Sequence, residues 1–150
     1  MHNYFYQFSK YTVQNLMKEN VMEGKAFWCK LYEPDIEFNP RWSLRLVPSQ
    51  IEQQRFKKFG YKMQMEQINN QDFGLSVYMY RKVKHMDDVL ERPQLFDKNK
   101  NTLELFEELQ NGFNVMVKYN EWETISGDNK IYKGIDLIAV ILLDDEPKLF

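Results

Sequence analysis

"GKAFWCKLYEP", Gly24 to Pro34, places aromatic, basic and aliphatic residues side by side in a stretch of strand length. A β-strand points successive side chains to opposite sides, so a period of two sorts this stretch into two faces. The faces are Phe27, Cys29 and Leu31 on one side, and Ala26, Trp28, Lys30 and Tyr32 on the other. The first face suits a core, whereas the second combines aromatic rings with lysines. The stretch therefore predicts a strand that Pro34 ends and that keeps one face at the surface.

The same alternation returns along the chain. Residues 41–47, 74–83 and 113–122 each alternate in the manner of half-buried strands. The side chains predicted to point inward are Trp42, Leu44 and Leu46, then Leu75, Val77 and Met79, then Val115, Val117 and Tyr119. A Ser-Gly-Asp-Asn turn at 126–129 leads into a last apolar strand over 131–143, which predicts a closing hairpin.

Two stretches change to a helical period. Ser49 followed by Glu52 has the spacing of a capping box, and Gly60 is placed to end the helix. Its predicted apolar face consists of Ile51, Phe56 and Phe59. A second, shorter helix is predicted between the capping residue Asn101 and Gly112, with Leu103, Phe106 and Leu109 as its apolar face.

The order of elements is strand, strand, helix, strand, helix and hairpin, with a long loop predicted over residues 84–100. Five short strands avoid bare edges by curling into a barrel, and the oligonucleotide-binding (OB) Greek-key barrel is the common five-stranded form. We therefore predict an all-β fold with helical insertions, a five-stranded OB-fold Greek-key barrel over residues 23–143. A flat α+β sheet is the alternative. Residues 1–22 are predicted to form an N-terminal arm, and residues 144–150 an acidic C-terminal tail.

Length and composition describe one globular domain. The chain has 150 residues, of which 43% are hydrophobic and 28% charged, and both fractions are ordinary for a protein with a single core. Aromatic residues, at 15%, are unusually frequent, so we expect some of them at the surface. The net charge of −2 argues against a uniformly basic coat, but it leaves room for a basic face balanced by acids elsewhere.

The cysteine and histidine content excludes two kinds of site. Cys29 is the single cysteine, so the chain forms no internal disulfide, and with two histidines it cannot supply a common structural zinc site. No apolar run reaches the roughly 18 residues of a membrane span, and the first ten residues lack a signal-peptide pattern. These features predict a protein of a reducing cytoplasm with no membrane association.

Outward aromatic and basic residues recur on the predicted strands and form the strongest functional pattern. The candidate DNA-binding residues are Trp28, Lys30, Tyr32, Arg41, Arg45, Tyr78, Tyr80, Lys82 and Lys118. Single-stranded nucleic acid needs this mixture, because bases stack on aromatic rings for roughly 1–3 kcal/mol each while cations follow the phosphates. Two other interpretations stay open: a helix covers this face, or the face belongs to a protein–protein interaction module.

Catalytic chemistry has little support. His85 lies beside Asp87 and Asp88, but a run of charges in a loop is more often solvated surface than a site. The glycines are scattered, and none has the spacing of a phosphate-binding loop. Cys29, on the predicted core face without a neighbouring histidine, is expected to be a buried, inert thiol. We expect no enzyme activity, no metal and no cofactor. A metal-dependent nuclease would need carboxylates clustered in a cleft.

The last seven residues, "DDEPKLF", combine three acids with Pro147 and a terminal aromatic residue. Proline discourages a further strand, so the segment is predicted to be a mobile tail. An anionic tail could lie over a cationic groove in the absence of DNA and reach protein partners in its presence. The candidate partner-binding residues are Asp144, Asp145, Glu146 and Phe150. A solvated chain end without a function is the alternative.

Several motifs, taken in order, resemble the phage-encoded OB-fold single-stranded DNA-binding proteins. "GKAFWCKLYEPD" is similar to that family's "G-x-A-x-W-A-K-L-x-x-P-D", and "RWSLRLVP" is similar to its "K-W-S-V-D-L-V-L". "RPQLFDKNKN" is similar to its Pro-x-x-x-Asp loop, and "NGFNVMVKYNEW" with "GIDLIAV" to its closing hairpin. Together the motifs cover most of residues 24–142 in the family's order.

The resemblance implies a protein that coats and protects single-stranded DNA with little sequence preference, in phage DNA replication, recombination and repair in the cytoplasm of the infected host. It assigns the DNA contacts to Trp28, Lys30, Tyr32, Tyr78, Tyr80 and Lys82. The acidic tail would dock replication proteins such as a polymerase or a helicase, and a homodimer is compatible with the pattern. Three positions depart from the family: Arg45 replaces a usual acid, Phe113 replaces a small hydroxyl residue, and Lys148 dilutes the charge of a short tail.

Overall fold

A computed structural model gives the fold of residues 20–37 and 39–149. The elements, in chain order, are β1 (Asn20–Asp35), β2 (Arg41–Pro48), α1 (Gln50–Lys58), β3 (Met63–Ile68), β4 (Gln71–Lys82), β5 (Lys84–His85), β6 (Asp88–Val89), β7 (Gln94–Phe96), β8 (Phe113–Ile125) and β9 (Ile131–Leu142). Strand β1 thus begins within the segment predicted as an N-terminal arm, whose residues 1–19 lie outside the described part of the chain.

Five of these strands close into a barrel in the order β1, β2, β4, β9 and β8. The pairs are antiparallel except for β4 and β9, which meet in parallel where Tyr80 lies opposite Asp136. An ion pair of 3.0 Å between Arg81 Nη1 and Asp136 Oδ2 ties the same two strands. The closed ring confirms the predicted five-stranded Greek-key barrel with a helical insertion and excludes the flat sheet.

The alternating pattern fills the interior of the barrel as predicted. Buried members of the core include Trp42, Leu44 and Leu46 of β2, Val77 and Met79 of β4, Val115, Val117 and Tyr119 of β8, and Ile135 and Leu137 of β9. Full burial of an aliphatic side chain of this size contributes roughly 1.5–3 kcal/mol. Leu75, predicted to be part of this core, is only partly buried.

A bulge at Trp28 divides β1 into two halves of opposite parity. Ala26 is buried in the core before the bulge, and Cys29 and Leu31 are buried in it afterwards. The pairing of β1 with β2 shifts register between Phe27 and Lys30, and Trp28 has a φ of 53°. One extra residue in a strand exchanges the inward and outward positions that follow it. The alternation predicted across the whole stretch is therefore correct only beyond the bulge.

Phe27 is the residue that this bulge displaces from its predicted place. It is fully buried, as expected, but it does not belong to the core cluster inside the barrel. Its ring instead packs against Phe73 of β4, with the ring centroids 5.5 Å apart. Phe27 therefore stabilises the contact of β1 with the β3–β4 hairpin.

Helix α1 begins as the capping box predicts but buries a different face. The Ser49 side chain accepts a hydrogen bond of 3.4 Å from the backbone N–H of Glu52, and Phe56 is fully buried. Ile51 and Phe59, predicted to be buried beside Phe56, are exposed instead. Gln53 is buried in their place, since its side chain donates to the carbonyl of Pro48 (2.9 Å) and accepts from the N–H of Leu75 (2.9 Å). A polar contact, rather than an apolar stripe, thus fixes the helix to β4.

The second predicted helix is wrong: residues 101–112 form no helix. This segment supplies side chains to β1, which pairs with β8 only from Asn20 to Ala26. The Glu108 carboxylate accepts from the backbone N–H groups of Leu31 (2.7 Å), Tyr32 (2.8 Å) and Glu33 (2.9 Å). Local helix propensity is a weak preference that such tertiary contacts override. The predicted loop over 84–100 likewise contains the short strands β5, β6 and β7.

Candidate nucleic-acid interface

The outer face of β1, β2 and β4 brings the predicted DNA-binding residues together in rows. Directly opposite residues in an antiparallel pair lie close and point to the same face. The rows are Lys30, Ser43 and Tyr80; Asp35, Arg41 and Lys82; and Phe27, Arg45 and Tyr78. The three strands therefore interleave cations with aromatic rings on one surface, as the sequence pattern predicts.

Four side chains on this face form one continuous stack, which we call the arginine–tyrosine stack: Arg41, Tyr80, Tyr78 and Arg45. The two tyrosine rings are stacked, with centroids 5.3 Å apart and an interplanar angle of 25°. The Arg41 guanidinium carbon lies 4.4 Å from the Tyr80 centroid, and that of Arg45 lies 5.7 Å from the Tyr78 centroid. Burial raises the pKa of Tyr80 against the opposing effect of Arg41, so this phenol stays neutral near pH 7 and adds no negative charge.

Trp28 is attached to this surface through a buried carboxylate. Its indole Nε1 donates a hydrogen bond of 2.6 Å to Oε1 of Glu66 on β3. The other oxygen of Glu66 accepts from Ser76 Oγ (2.6 Å) and from Gln64 Nε2 (3.0 Å), and it lies 3.4 Å from Arg45 Nε. We call these five residues the Glu66 network. Because β4 and β2 separate β3 from β1, the network spans the whole face.

The face remains accessible on β1. Trp28 is 50% exposed and Tyr32 is 36% exposed, and Lys30 is exposed as well. Helix α1 packs instead near Pro48 and Leu75. Within the described part of the chain, the alternative in which a helix covers these three residues is therefore excluded.

Lys118 is the one predicted contact that the fold places elsewhere. It lies on β8 opposite Val21 of β1 and Ala139 of β9, so β1 separates it from β2. Sequence reasoning also missed Glu66 and Ser76, which organise the face from within. Glu66 lies in "MQMEQI", a stretch that is ambiguous between strand and loop and that offers only a weak alternation of polar residues. Ser76 lies on the predicted strand over residues 74–83, but its residue type gives no sign of a buried partner.

The acidic C-terminal segment lies against the barrel as far as it is described. The Asp144 carboxylate accepts from the backbone N–H (3.0 Å) and the side-chain amide (2.8 Å) of Asn114. Asp145 forms an ion pair of 2.8 Å with Lys98, and the Lys148 N–H donates to the carbonyl of Gly112 at 2.8 Å. Glu146 is exposed, and Phe150 lies outside the described residues.

The other candidate reactive groups are a buried thiol and a histidine in a separate two-stranded sheet. Burial, with a smaller effect from Glu108, raises the pKa of the Cys29 thiol to about 12. Burial and the nearby Lys82 lower the pKa of His85, which lies opposite Asp88 in the small β5–β6 hairpin. Residues 20–37 and 39–149 contain no group of three or more histidine, cysteine or acidic side chains that could hold a metal ion. No helix among them is long and apolar enough to span a membrane.

Comparison with known proteins finds similarity in structure only. No protein-family model and no curated protein matches the sequence. The single-stranded DNA-binding protein gp2.5 encoded by bacteriophage T7 aligns with a TM-score of 0.61 at 13% identity, over 89% of this chain and 94% of that one. The single-stranded DNA-binding protein from bacteriophage Enc34 aligns with a TM-score of 0.59 at 12% identity, over 88% and 84% of the two chains.

A structure of the Enc34 protein in complex with single-stranded DNA is also similar, with a TM-score of 0.58 at 15% identity over 86% of this chain and 88% of that one. These solved structures belong to the class of phage protein that the sequence motifs resemble. At such low identity the likeness shows a common fold: the chain shares the barrel of these phage single-stranded DNA-binding proteins.

Proposed function

We propose that the protein binds single-stranded DNA without strong sequence preference and coats it during phage DNA replication and recombination. The observation that carries the proposal is the outer face of β1, β2 and β4, where Trp28 and the arginine–tyrosine stack place rings and cations side by side. Stacking is tolerant of sequence because every base has a π-face, and cations bind the phosphates of any sequence.

The fold supports the same function. The barrel is that of two phage proteins named for binding single-stranded DNA, one of which is described in complex with it. The strand face of an OB barrel is also the usual surface for oligonucleotides.

The cellular setting is part of the proposal. The protein would act in the cytoplasm of the infected bacterium, where replication and recombination expose single strands. Docking of replication proteins would involve the tail residues Asp144, Asp145, Glu146 and Phe150. In the structure, the first two carboxylates already bind Asn114 and Lys98, so a partner would have to compete with these contacts.

A fluorescence titration tests the proposal directly. Adding a 30-nucleotide oligo-dT should quench the tryptophan emission, because Trp28 is half exposed on the proposed platform. The matched control is a double-stranded oligonucleotide of the same length, whose bases are already stacked and which should bind much more weakly. If the single strand neither quenches the emission nor binds at low salt, the proposal is wrong, and a protein partner becomes the better explanation of the exposed aromatic face.

A further inference from the structure

A buried carboxylate lies within a surface that we propose binds a polyanion. Glu66 is 2% exposed, and glutamates are seldom so fully buried unless they are paired. A negative charge beside the phosphate path weakens the attraction of Arg45, which lies 3.4 Å from it. Glu66 therefore acts on this face through its hydrogen bonds, one of which goes to Trp28, and not through attraction of the phosphates.

The hydrogen bonds of Trp28 fix the position of its side chain. An exposed tryptophan normally loses side-chain freedom when it binds a ligand, and this loss reduces affinity. Both the backbone and the ring of Trp28 are held by hydrogen bonds before any ligand binds. Its backbone N–H donates to Asn111 Oδ1 at 2.7 Å, and its indole N–H donates to Glu66 at 2.6 Å.

The hydrogen bond between the Trp28 indole and Glu66 also prevents this N–H from recognising particular DNA bases. The indole N–H is the only hydrogen-bond donor of a tryptophan side chain. Proteins read bases through hydrogen bonds to base edges, so a free indole N–H would favour bases that offer a well-placed acceptor. Arg45 Nε is engaged in a comparable way, by Ser76 Oγ at 2.8 Å. Trp28 is left with its ring faces, which stack on any base.

We propose, building on the function proposed above, that Glu66 is a positioning residue that fixes the Trp28 indole for stacking and keeps its N–H away from the bases. Glu66 thereby makes this part of the DNA-binding face insensitive to sequence.

Two neutral variants of Glu66 provide a matched test. Glu66→Gln keeps an oxygen acceptor for the indole, whereas Glu66→Leu does not, and both remove the same charge. We expect Glu66→Leu to bind a 20-nucleotide oligo-dT roughly two- to tenfold more weakly than Glu66→Gln, the range for immobilising one side chain. The spread of affinities among oligo-dT, oligo-dC and a mixed sequence should also widen in Glu66→Leu. Equal affinities and equal spreads in the two variants would overturn the proposal.

The indole N–H signal of Trp28 in the wild-type protein gives a second readout, which does not depend on whether Glu66→Leu folds. In a ¹H–¹⁵N spectrum, Trp28→Phe identifies this signal among those of Trp28, Trp42 and Trp122. We expect slow exchange with water and a high order parameter for this indole N–H, close to the roughly 0.85 of a rigid backbone amide, both in the free protein and with oligo-dT bound. Loss of protection when DNA binds would mean that the indole leaves Glu66, and the inference would fail.

The two proposals fail in different ways. If the wild-type protein does not bind single strands at all, the proposed function is wrong. If the wild-type protein binds while the two Glu66 variants behave alike, only the role of Glu66 is wrong.

Discussion

Trp28 shows how a single residue sets the geometry of the face. Its φ of 53° lies in the left-handed region, which costs a residue with a side chain roughly 1–2 kcal/mol. The bulge that this conformation creates lets Ala26 and Cys29, which are three positions apart, both point into the core, while Phe27 packs on Phe73 and the indole of Trp28 stays exposed. The strain is therefore the structural cost of exchanging the inward and outward positions in the middle of β1.

Replacing Trp28 separates its role in binding from its strain. Both Trp28→Ala and Trp28→Gly should weaken binding to oligo-dT by roughly 1–3 kcal/mol, because both remove the stacking ring. Glycine adopts a positive φ freely, so Trp28→Gly should be more stable than Trp28→Ala by up to about 1 kcal/mol in urea denaturation. Tyr132→Ala, which removes a half-exposed ring from β9, is the control and should leave DNA binding unchanged. An alanine variant that is more stable than the glycine variant would contradict this account of the bulge.

At the scale of elements, the second half of β1 pairs with β2 on one side, but on the side of β8 it is held by side chains rather than by a strand. Beyond Ala26, the register with β8 ends, and the Glu108 carboxylate receives three consecutive backbone N–H groups. Hydrogen bonds to a charged group are worth roughly 1.5–3 kcal/mol each in favourable cases. The irregular segment 101–112 thus completes the barrel where a ladder would otherwise continue.

Removing this carboxylate should destabilise the whole fold. We expect Glu108→Ala to lower the free energy of unfolding by roughly 1–3 kcal/mol, since it leaves backbone donors unsatisfied. Glu107→Ala is the matched control, because its side chain is exposed and has no comparable contact with β1 among the hydrogen bonds described above. Thermal or urea denaturation of both variants measures the difference. Equal stabilities would show that water replaces the carboxylate without cost.

An element can be predicted from the sequence when the interactions that form it are between residues close together in the chain. β2, β4, β8 and β9 were predictable because apolar alternation is a property of consecutive residues, and the start of α1 was predictable because its Ser49 cap is local. The helix predicted over residues 101–112 failed because a contact with a distant part of the chain decides the structure there. The segment 101–112 takes its shape from Glu108 meeting β1 some 75 residues away in sequence, and no pattern within the segment reports such a contact.

The candidate site divides in the same way. Trp28 and the members of the arginine–tyrosine stack were predicted because their residue types and strand parity are visible in the sequence. Glu66 was not, since its importance comes from a tertiary hydrogen bond to Trp28 across the sheet. A surface can therefore be inferred from alternation, whereas the groups that orient its side chains require coordinates.

At the scale of the whole molecule, the barrel separates charges that the sequence mixes. The chain has a net charge of −2, yet Lys30, Arg41, Arg45 and Lys82 share one face. Asp144 and Asp145 are engaged elsewhere, by Asn114 and Lys98. An overall acidic protein can therefore present a local cationic surface to a polyanion.

Two exposed lysines test whether position on the barrel decides DNA binding. Lys30 lies on the proposed face, whereas Lys118 lies on β8, beyond β1. We expect Lys30→Ala to weaken binding and to reduce the log–log salt slope by roughly 0.7, the value for one phosphate contact on a single strand. Lys118→Ala should leave both quantities unchanged. If the two variants lose affinity and slope equally, the DNA path extends over β8 as well.

The burial of Cys29 has a practical consequence for labelling. With a pKa of about 12 in place of 9.0, this thiol carries roughly a thousandfold less thiolate near neutral pH than an exposed cysteine does. It is also the chain's single cysteine. A cysteine introduced at Ser126, in the turn between β8 and β9, would consequently take up a maleimide dye almost alone. The native thiol can stay in place, and a fluorophore can be attached far from Trp28 without rebuilding the core.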